Sequence, residues 1–324
     1  MMSSILRLPG QVVEPRTISL AAVLILLGAA FHVLTPFFFT AANLSNLFLS
    51  ISVLGIMAAM STLSIIGRCI DLSVGSIAAL VGVVVALLIE KHGVSAPAAM
   101  ALGLVVGGIC GAVNGALAAF IGINPIIVTI GTLSLFRGLA FILTDGQTTL
   151  IQDEGMLFLG DGRVLGVPVS VLILAVAFLC CHVTAVHTVA GRAIFAAGAN
   201  PRAARLAGLP VIAIRFWLFV ASGMAAAISG VLLACQSGTA IPSAATTYEI
   251  LVVTAVLLGG TSLAGGDGAL SRTAIGLLII GTLNNGMALL AVPTFYQMCA
   301  NGLLLLLAVT VDQVRGRRLG VVEE

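Results

Sequence analysis

Long apolar stretches alternate along the chain with short polar interruptions. Ten such stretches stand out, over residues 17–34, 44–66, 74–89, 96–120, 126–143, 168–189, 212–235, 250–264, 273–291 and 295–311. A full bilayer crossing needs ~20 residues as a helix, and several of these stretches are shorter and carry Gly or Pro. The pattern predicts an all-α, polytopic membrane protein of about ten transmembrane helices. It is expected to form a single transmembrane domain over 1–324, with a polar loop at 144–167 and a connector at 190–210. The first stretch reads as an uncleaved helix rather than a cleaved signal. Phe31 to Thr35 stays mainly apolar beyond the small-residue run Gly28-Ala29-Ala30.

Composition turns this pattern into an exclusion. Hydrophobic residues make up 60% of the 324 and charged residues only 8%, against roughly 25% in soluble domains. So much apolar surface cannot be hidden behind a solvated exterior, which removes soluble enzymes and disordered scaffolds. A net charge of +2 is too small to point to nucleic acid. The one lysine, Lys91, lies between Glu90 and His92 and not in a Gly-Lys-Ser/Thr loop, so the chain has no lysine to hold a nucleotide's phosphates. Any ATP used with this chain is expected on another polypeptide.

The arginines set the expected direction. Arg7 and Arg16 precede the first stretch, Arg192, Arg202 and Arg205 fill the connector, and Arg315, Arg317 and Arg318 follow the last. Loop 144–167 instead carries Asp145, Asp153, Glu154 and Asp161 against Arg163. Ten crossings put both termini and the connector on one side and the acidic loop on the other. The positive-inside bias makes the first side cytoplasmic. Residues 44–143 and 212–311 also resemble each other: each follows one lead helix, and each holds a Gly-rich break, then Asn-Gly (Asn114-Gly115, Asn285-Gly286), then Pro. Two inverted five-helix repeats would give this pattern, as would chance similarity between Gly-rich segments.

Chemistry-bearing residues are few. The six cysteines lie in or beside apolar runs without CxxC spacing and read as small packing residues. His182 and His187 are not spaced as metal ligands, so neither a metal nor another cofactor is expected. No nucleophile–base constellation suggests catalysis. Asp71 stands against an apolar run, where an acid is costly and either paired, capping the helix that begins near Leu72, or in contact with substrate or gate. With Ser73, Asn114, Thr129, Asn285 and Gln297 it forms the candidate pathway or gate. Such amides and hydroxyls match a neutral polyol, although each can equally hold helices together at ~0.6 kcal/mol. In the connector, Asn200 is a good N-cap and Pro201 suits a first helical turn, while Gly208 and Pro210 stop the helix. A short helix punctuated in this way, with Arg192, Arg202 and Arg205, suits docking in a groove on a soluble partner.

The motifs together resemble the inner-membrane permease subunits of ribose-type carbohydrate ABC importers. They are Ile70–Ser76 (IDLSVGS), Asn114-Gly115, Pro125–Thr132 (PIIVTIGT) with Arg137-Gly138, Thr144-Asp145-Gly146, Gly191–Gly208, Tyr248-Glu249, Gly259–Gly268 (GGTSLAGGDG) and Asn285-Gly286. The resemblance spans about 44–311. It implies a multi-pass protein of the bacterial inner membrane that pairs with a second permease copy or a homologous permease. It further implies cytoplasmic ATP-binding subunits, a periplasmic sugar-binding protein, and a coupling helix at 190–210. Two positions depart from the family, which usually has glycine in place of Arg68 and Gly-Thr in place of Arg272-Thr273. Arginine at the first also resembles autoinducer-2-type permeases, which leaves the sugar open. Arg272 is expected at the cytoplasmic rim, with its charge snorkelling to water. The rival readings are a branched-chain amino-acid ABC permease and a secondary transporter without an ATPase.

Overall fold

A computed structural model describes residues 15–318. Arg7 therefore lies outside the described residues. Each of the ten apolar stretches becomes one helix: α1 (Pro15–Leu34), α2 (Ala41–Ile66), α3 (Val74–Glu90), α4 (Ala96–Gly115), α5 (Pro125–Thr144), α7 (Val169–His187), α10 (Val211–Ser237), α11 (Tyr248–Leu258), α12 (Leu270–Leu289) and α13 (Thr294–Arg318). A π-helical turn, Ala116–Phe120, prolongs α4. Among the described residues six helices are long and apolar enough to cross a membrane: α1, α2, α4 with its π turn, α5, α7 and α10.

Two stretches differ from the pattern. The 250–264 stretch stops being helical at Leu258, because Gly259 and Gly260 end it and residues 259–269 continue as turns. The connector holds two helices rather than one. After α7, Thr188 accepts a bond from Gly191 N–H at 3.0 Å and starts α8 (Val189–Ala199), with α9 (Pro201–Leu206) following. Loop 144–167 is folded as well. It contains α6 (Glu154–Asp161), capped by Asp153, and short pairs that join Thr149–Leu150 to Thr239–Ala240 and Arg163–Val164 to Val167–Pro168.

Two helices organise the interior. Every residue of α2 from Ile51 to Ile66 is buried, as expected of a helix that is apolar all round and enclosed by others. Helix α10 packs on α2, α3 and α4. Its seam with α4 is made by small residues four apart. A Cβ on Gly107 would lie 2.5 Å from the Gly223 carbonyl oxygen, and one on Gly111 would overlap the Phe219 backbone. Small residues let membrane helices approach until their backbones touch, which replaces the hydrophobic drive that lipid does not supply. By contrast, a Cβ on Gly131 in α5 meets nothing within 4 Å.

Gly111→Ala is therefore expected to lower stability in detergent by about 1–3 kcal/mol through forced separation of α4 and α10. Gly131→Ala should be neutral or stabilising by up to about 1 kcal/mol. Thermal unfolding of the two purified variants checks the contrast, and equal shifts would contradict it.

Candidate functional site

Helix α2 ends in a break, not a simple turn. Gly67 N–H closes back on Leu63 O at 3.0 Å, and Cys69 N–H reaches Ser64 O at 2.7 Å. Residues 67–73 then run without helix until α3 begins at Val74. The carboxyl of Asp71, 5% exposed, organises this stretch. Its Oδ1 accepts the Ser73 N–H at 2.9 Å and the Ser73 hydroxyl at 2.6 Å, while Oδ2 accepts the Ser222 hydroxyl of α10 at 2.8 Å. Asn114 of α4 donates through Nδ2 to Ser73 Oγ at 2.8 Å. Asp71 thus does not cap α3, whose N-cap is Ser73, but holds that residue in place and ties together the break, α4 and α10. Thr129 of α5 lies beside the same break, with its hydroxyl 3.0 Å from Pro125 O and 3.5 Å from Ile70 O.

The candidate pathway residues fall into separate places. Asp71, Ser73 and Asn114 form one buried chain of hydrogen bonds, with Thr129 at its edge. Gln297 instead lines a cavity of about 400 Å³ between α2, α11, α12 and α13. Ser50, Thr246, Thr247, Asn284 and Asn301 share that lining with Ile51, Leu54 and Leu251. Asn301 Nδ2 donates to Asn284 Oδ1 at 3.0 Å, and Gln297 Nε2 donates to Val292 O at 2.9 Å. Asn285 is not in the lining. Its amide exchanges two hydrogen bonds, both 2.9 Å, with Asn43 of α2. A larger cavity of about 520 Å³, walled by such residues as Met60, Leu63, Ile194, Trp217 and Leu218, offers a polyol few bonding partners.

Two participants were not legible as such in the sequence. Ser222 looks like one more small residue in the apolar run of α10, and nothing local marks it as the donor to Asp71. Arg137 donates through Nη1 to the carbonyl oxygens of Pro242 (2.9 Å) and Ala244, and so fixes the loop that leads into α11.

The connector presents its charges outward. Asn200 Oδ1 accepts the N–H groups of Arg202 (3.1 Å) and Ala203 (3.0 Å), which caps α9 as the sequence predicts. Arg192, Asn200, Arg202, Arg205 and Gly208 are exposed, and so is the apolar side chain of Leu206, at 91%. Ala197, Ala204 and Val211 form a small buried cluster beneath this face. Arg272 departs from expectation. It is buried rather than snorkelling, and Nη2 lies 3.5 Å from Asp267 Oδ1. The turn at 259–269 and the start of α12 enclose it: a Cβ on Gly259 would lie 2.6 Å from Thr273 N.

A family profile described as "Branched-chain amino acid transport system / permease component" matches residues 43–309. The chain is 41% identical to the ribose import permease protein RbsC of Escherichia coli (strain K12), over 91% of this chain and 92% of that protein. It is 38% identical to the L-arabinose ABC transporter permease protein AraH of Azospirillum brasilense, over 90% and 86% of the two chains. It is likewise 38% identical to the ribose import permease protein RbsC of Bacillus subtilis (strain 168), over 87% and 88%. No solved structure matches.

Ser222→Ala leaves Asp71 Oδ2 without its hydroxyl donor in a buried site, and a stability loss of about 1–3 kcal/mol is expected. Thermal unfolding in detergent measures it, with Ser237→Ala, whose hydroxyl bonds within an exposed turn, as the near-neutral control. Equal effects would remove Asp71 from its organising role.

Proposed function

Since the chain belongs to the branched-chain amino acid transport system permease component family, we propose that it is the membrane-spanning permease subunit of an ATP-driven ABC importer for a neutral sugar. The observation that carries this reading is the 41% identity, over nine-tenths of both chains, to a protein named as a ribose import permease. Relatives named for L-arabinose transport support the same substrate class. The chain does no covalent chemistry in this reading. ATP is hydrolysed on cytoplasmic ATP-binding subunits, a periplasmic binding protein delivers the sugar, and a second permease completes the pathway.

In this reading residues 1–324 form one transmembrane domain of ten helical segments in the bacterial inner membrane, with both termini in the cytoplasm. Helices α3 and α11, at 17 and 11 residues, start at breaks and cross only part of the bilayer. The α1–α5 and α7, α10–α13 groups are the two inverted repeats, each with a long helix, a break and a short helix in sequence. Gln297, Asn284 and Asn301 line the sugar's route, while Asp71, Ser73, Asn114 and Thr129 form the hinge beside it. Asn285 acts through its pair with Asn43. Arg192, Asn200, Arg202, Arg205 and Gly208 dock the ATPase, with Leu206 as the apolar anchor.

Branched-chain amino acids are the second reading, resting on the family's printed description. The cavity argues against it, because no charged side chain lines it to meet an ammonium and a carboxylate. A hydroxyl-bearing solute finds donors and acceptors there without any charge to neutralise.

The test is purification from native membranes followed by reconstitution. An ATP-binding subunit is expected to accompany the chain, and labelled ribose or arabinose to enter vesicles only with ATP and the binding protein. Leucine uptake would transfer the assignment to amino acids, and uptake surviving ATP depletion would defeat the importer reading. Replacing Arg202 and Arg205 together by Glu should weaken association with the ATPase by about tenfold or more, with membrane insertion intact. Unchanged association would remove them from docking.

Asn284→Leu should lower sugar flux by about three- to tenfold at a normal level of folded protein, the loss of an uncharged hydrogen bond to a passing solute. Asn285→Leu should instead reduce the folded protein first, because it leaves the buried Asn43 Oδ1 without its donor. Flux per folded molecule, measured beside a folding assay such as size-exclusion chromatography, separates the two.

A further inference from the structure

Arg68 sits at the junction of three segments that are far apart in sequence. It is the second residue after α2, with φ +62°, a left-handed conformation uncommon for a residue other than glycine. Its side chain reaches the end of α8. Arg68 Nε donates to Gly198 O at 2.6 Å and Nη2 donates to Ala199 O at 3.1 Å. The last carbonyls of a helix lack partners within the helix and carry its negative dipole end, so a guanidinium is well suited to close them. Arg68 therefore caps α8 from a different part of the chain. The third segment presses on the same point. Gly266 N–H donates to Ile66 O at 2.9 Å, and a Cβ on Gly265 would lie 2.5 Å from Arg68 Cγ.

The connections on either side of Arg68 are short and stiff. Three residues further on is Asp71, whose carboxyl holds Ser73 and Ser222. On the far side, Gly198 and Ala199 lead through Asn200 directly into α9 and its exposed arginines. Arginine presents two donors in a rigid planar fork, so both carbonyls move with the guanidinium or the bonds break.

We propose that Arg68 is a positioning residue that links the α8–α9 docking segment to the Asp71 break, so that displacement of the docking segment by the ATPase is conveyed to the start of α3. The proposal rests on the importer reading, in which α8–α9 meets that ATPase. Arg68 contacts neither sugar nor nucleotide. Its role is to make two segments, 130 residues apart in sequence, move as one.

The test uses the purified importer complex and hydrogen–deuterium exchange with and without magnesium ATP plus orthovanadate. In the wild type, exchange is expected to change in both 194–206 and 67–73. Arg68→Gly keeps the backbone, since glycine adopts φ +62° freely, and removes the fork. In that variant 194–206 should still respond, the response of 67–73 should fall about tenfold, and sugar moved per ATP hydrolysed should fall with it. Arg68→Lys restores the charge but not the fork, and should lie between. A full response of 67–73 in Arg68→Gly overturns the proposal. So does loss of the 194–206 response while the ATPase stays bound, which would mean that Arg68 only shapes the docking segment. Absence of any ATPase from the wild-type preparation defeats the importer reading itself, and is seen before exchange is measured.

Discussion

A helix interrupted inside an apolar slab frees peptide N–H and C=O groups that no water can reach, and each must be bonded within the protein. Between α2 and α3 the N–H groups of Gly67, Cys69 and Gly266 close on carbonyls at the end of α2, and one carboxyl serves the start of α3. Asp71 takes the amide and hydroxyl of Ser73 on one oxygen and the hydroxyl of Ser222 on the other. Asn114 extends the chain to α4. Were these bonds absent, α3 would have no fixed starting point, and the long helices α4 and α10 would lose a polar cross-tie between them. The cost of placing an acid there is offset only because every contact it makes is also a structural one.

Around that point the protein is built from two kinds of contact with different mechanical character. The α4–α10 seam is backbone against backbone, and offers little room for relative motion without opening a gap. The polar cavity between α2, α11, α12 and α13 is different. Its walls mix apolar side chains such as Ile51, Leu54 and Leu251 with amides and hydroxyls, and among these Asn301 bonds Asn284 and Gln297 bonds a nearby carbonyl. Uncharged groups of this kind can exchange one neutral hydrogen-bonding partner for another at little net cost.

Much of this was readable in the sequence, and the exceptions share a cause. The ten apolar stretches each became a helix, and the Asn200-Pro201 start formed with the expected cap, because hydropathy and capping are local properties. The apolar stretch at 250–264 ran past the end of α11 at Leu258, although the Gly-rich break at Gly259-Gly260 was itself visible in the sequence. Asn284 and Asn285 are neighbours of identical chemistry, and only the helix's rotation decides that one faces the cavity and the other Asn43. Arg272 was expected at water and is enclosed, because the turn that covers it packs through a glycine near its start. Ser222 and Arg68 were opaque for the same reason. Their partners lie 151 and 130 residues away, and no local pattern reports a contact made at that distance.

The amide pair of Asn43 and Asn285 has a consequence of a different kind. Each side chain is at once donor and acceptor to the other, so the two residues form a reciprocal unit, anchored further by Asn43 Nδ2 on Phe38 O. Replacing Asn43 leaves both polar ends of Asn285 stranded between helices, and replacing Asn285 strands the Asn43 carbonyl oxygen while its Nδ2 keeps the Phe38 carbonyl at 2.8 Å, whereas replacing both by apolar residues of similar volume removes the reciprocal need. Descendants of this chain should therefore find single changes at these positions closed to them and the joint change open. The two sites, at opposite ends of the sequence, are bound to a shared evolutionary fate.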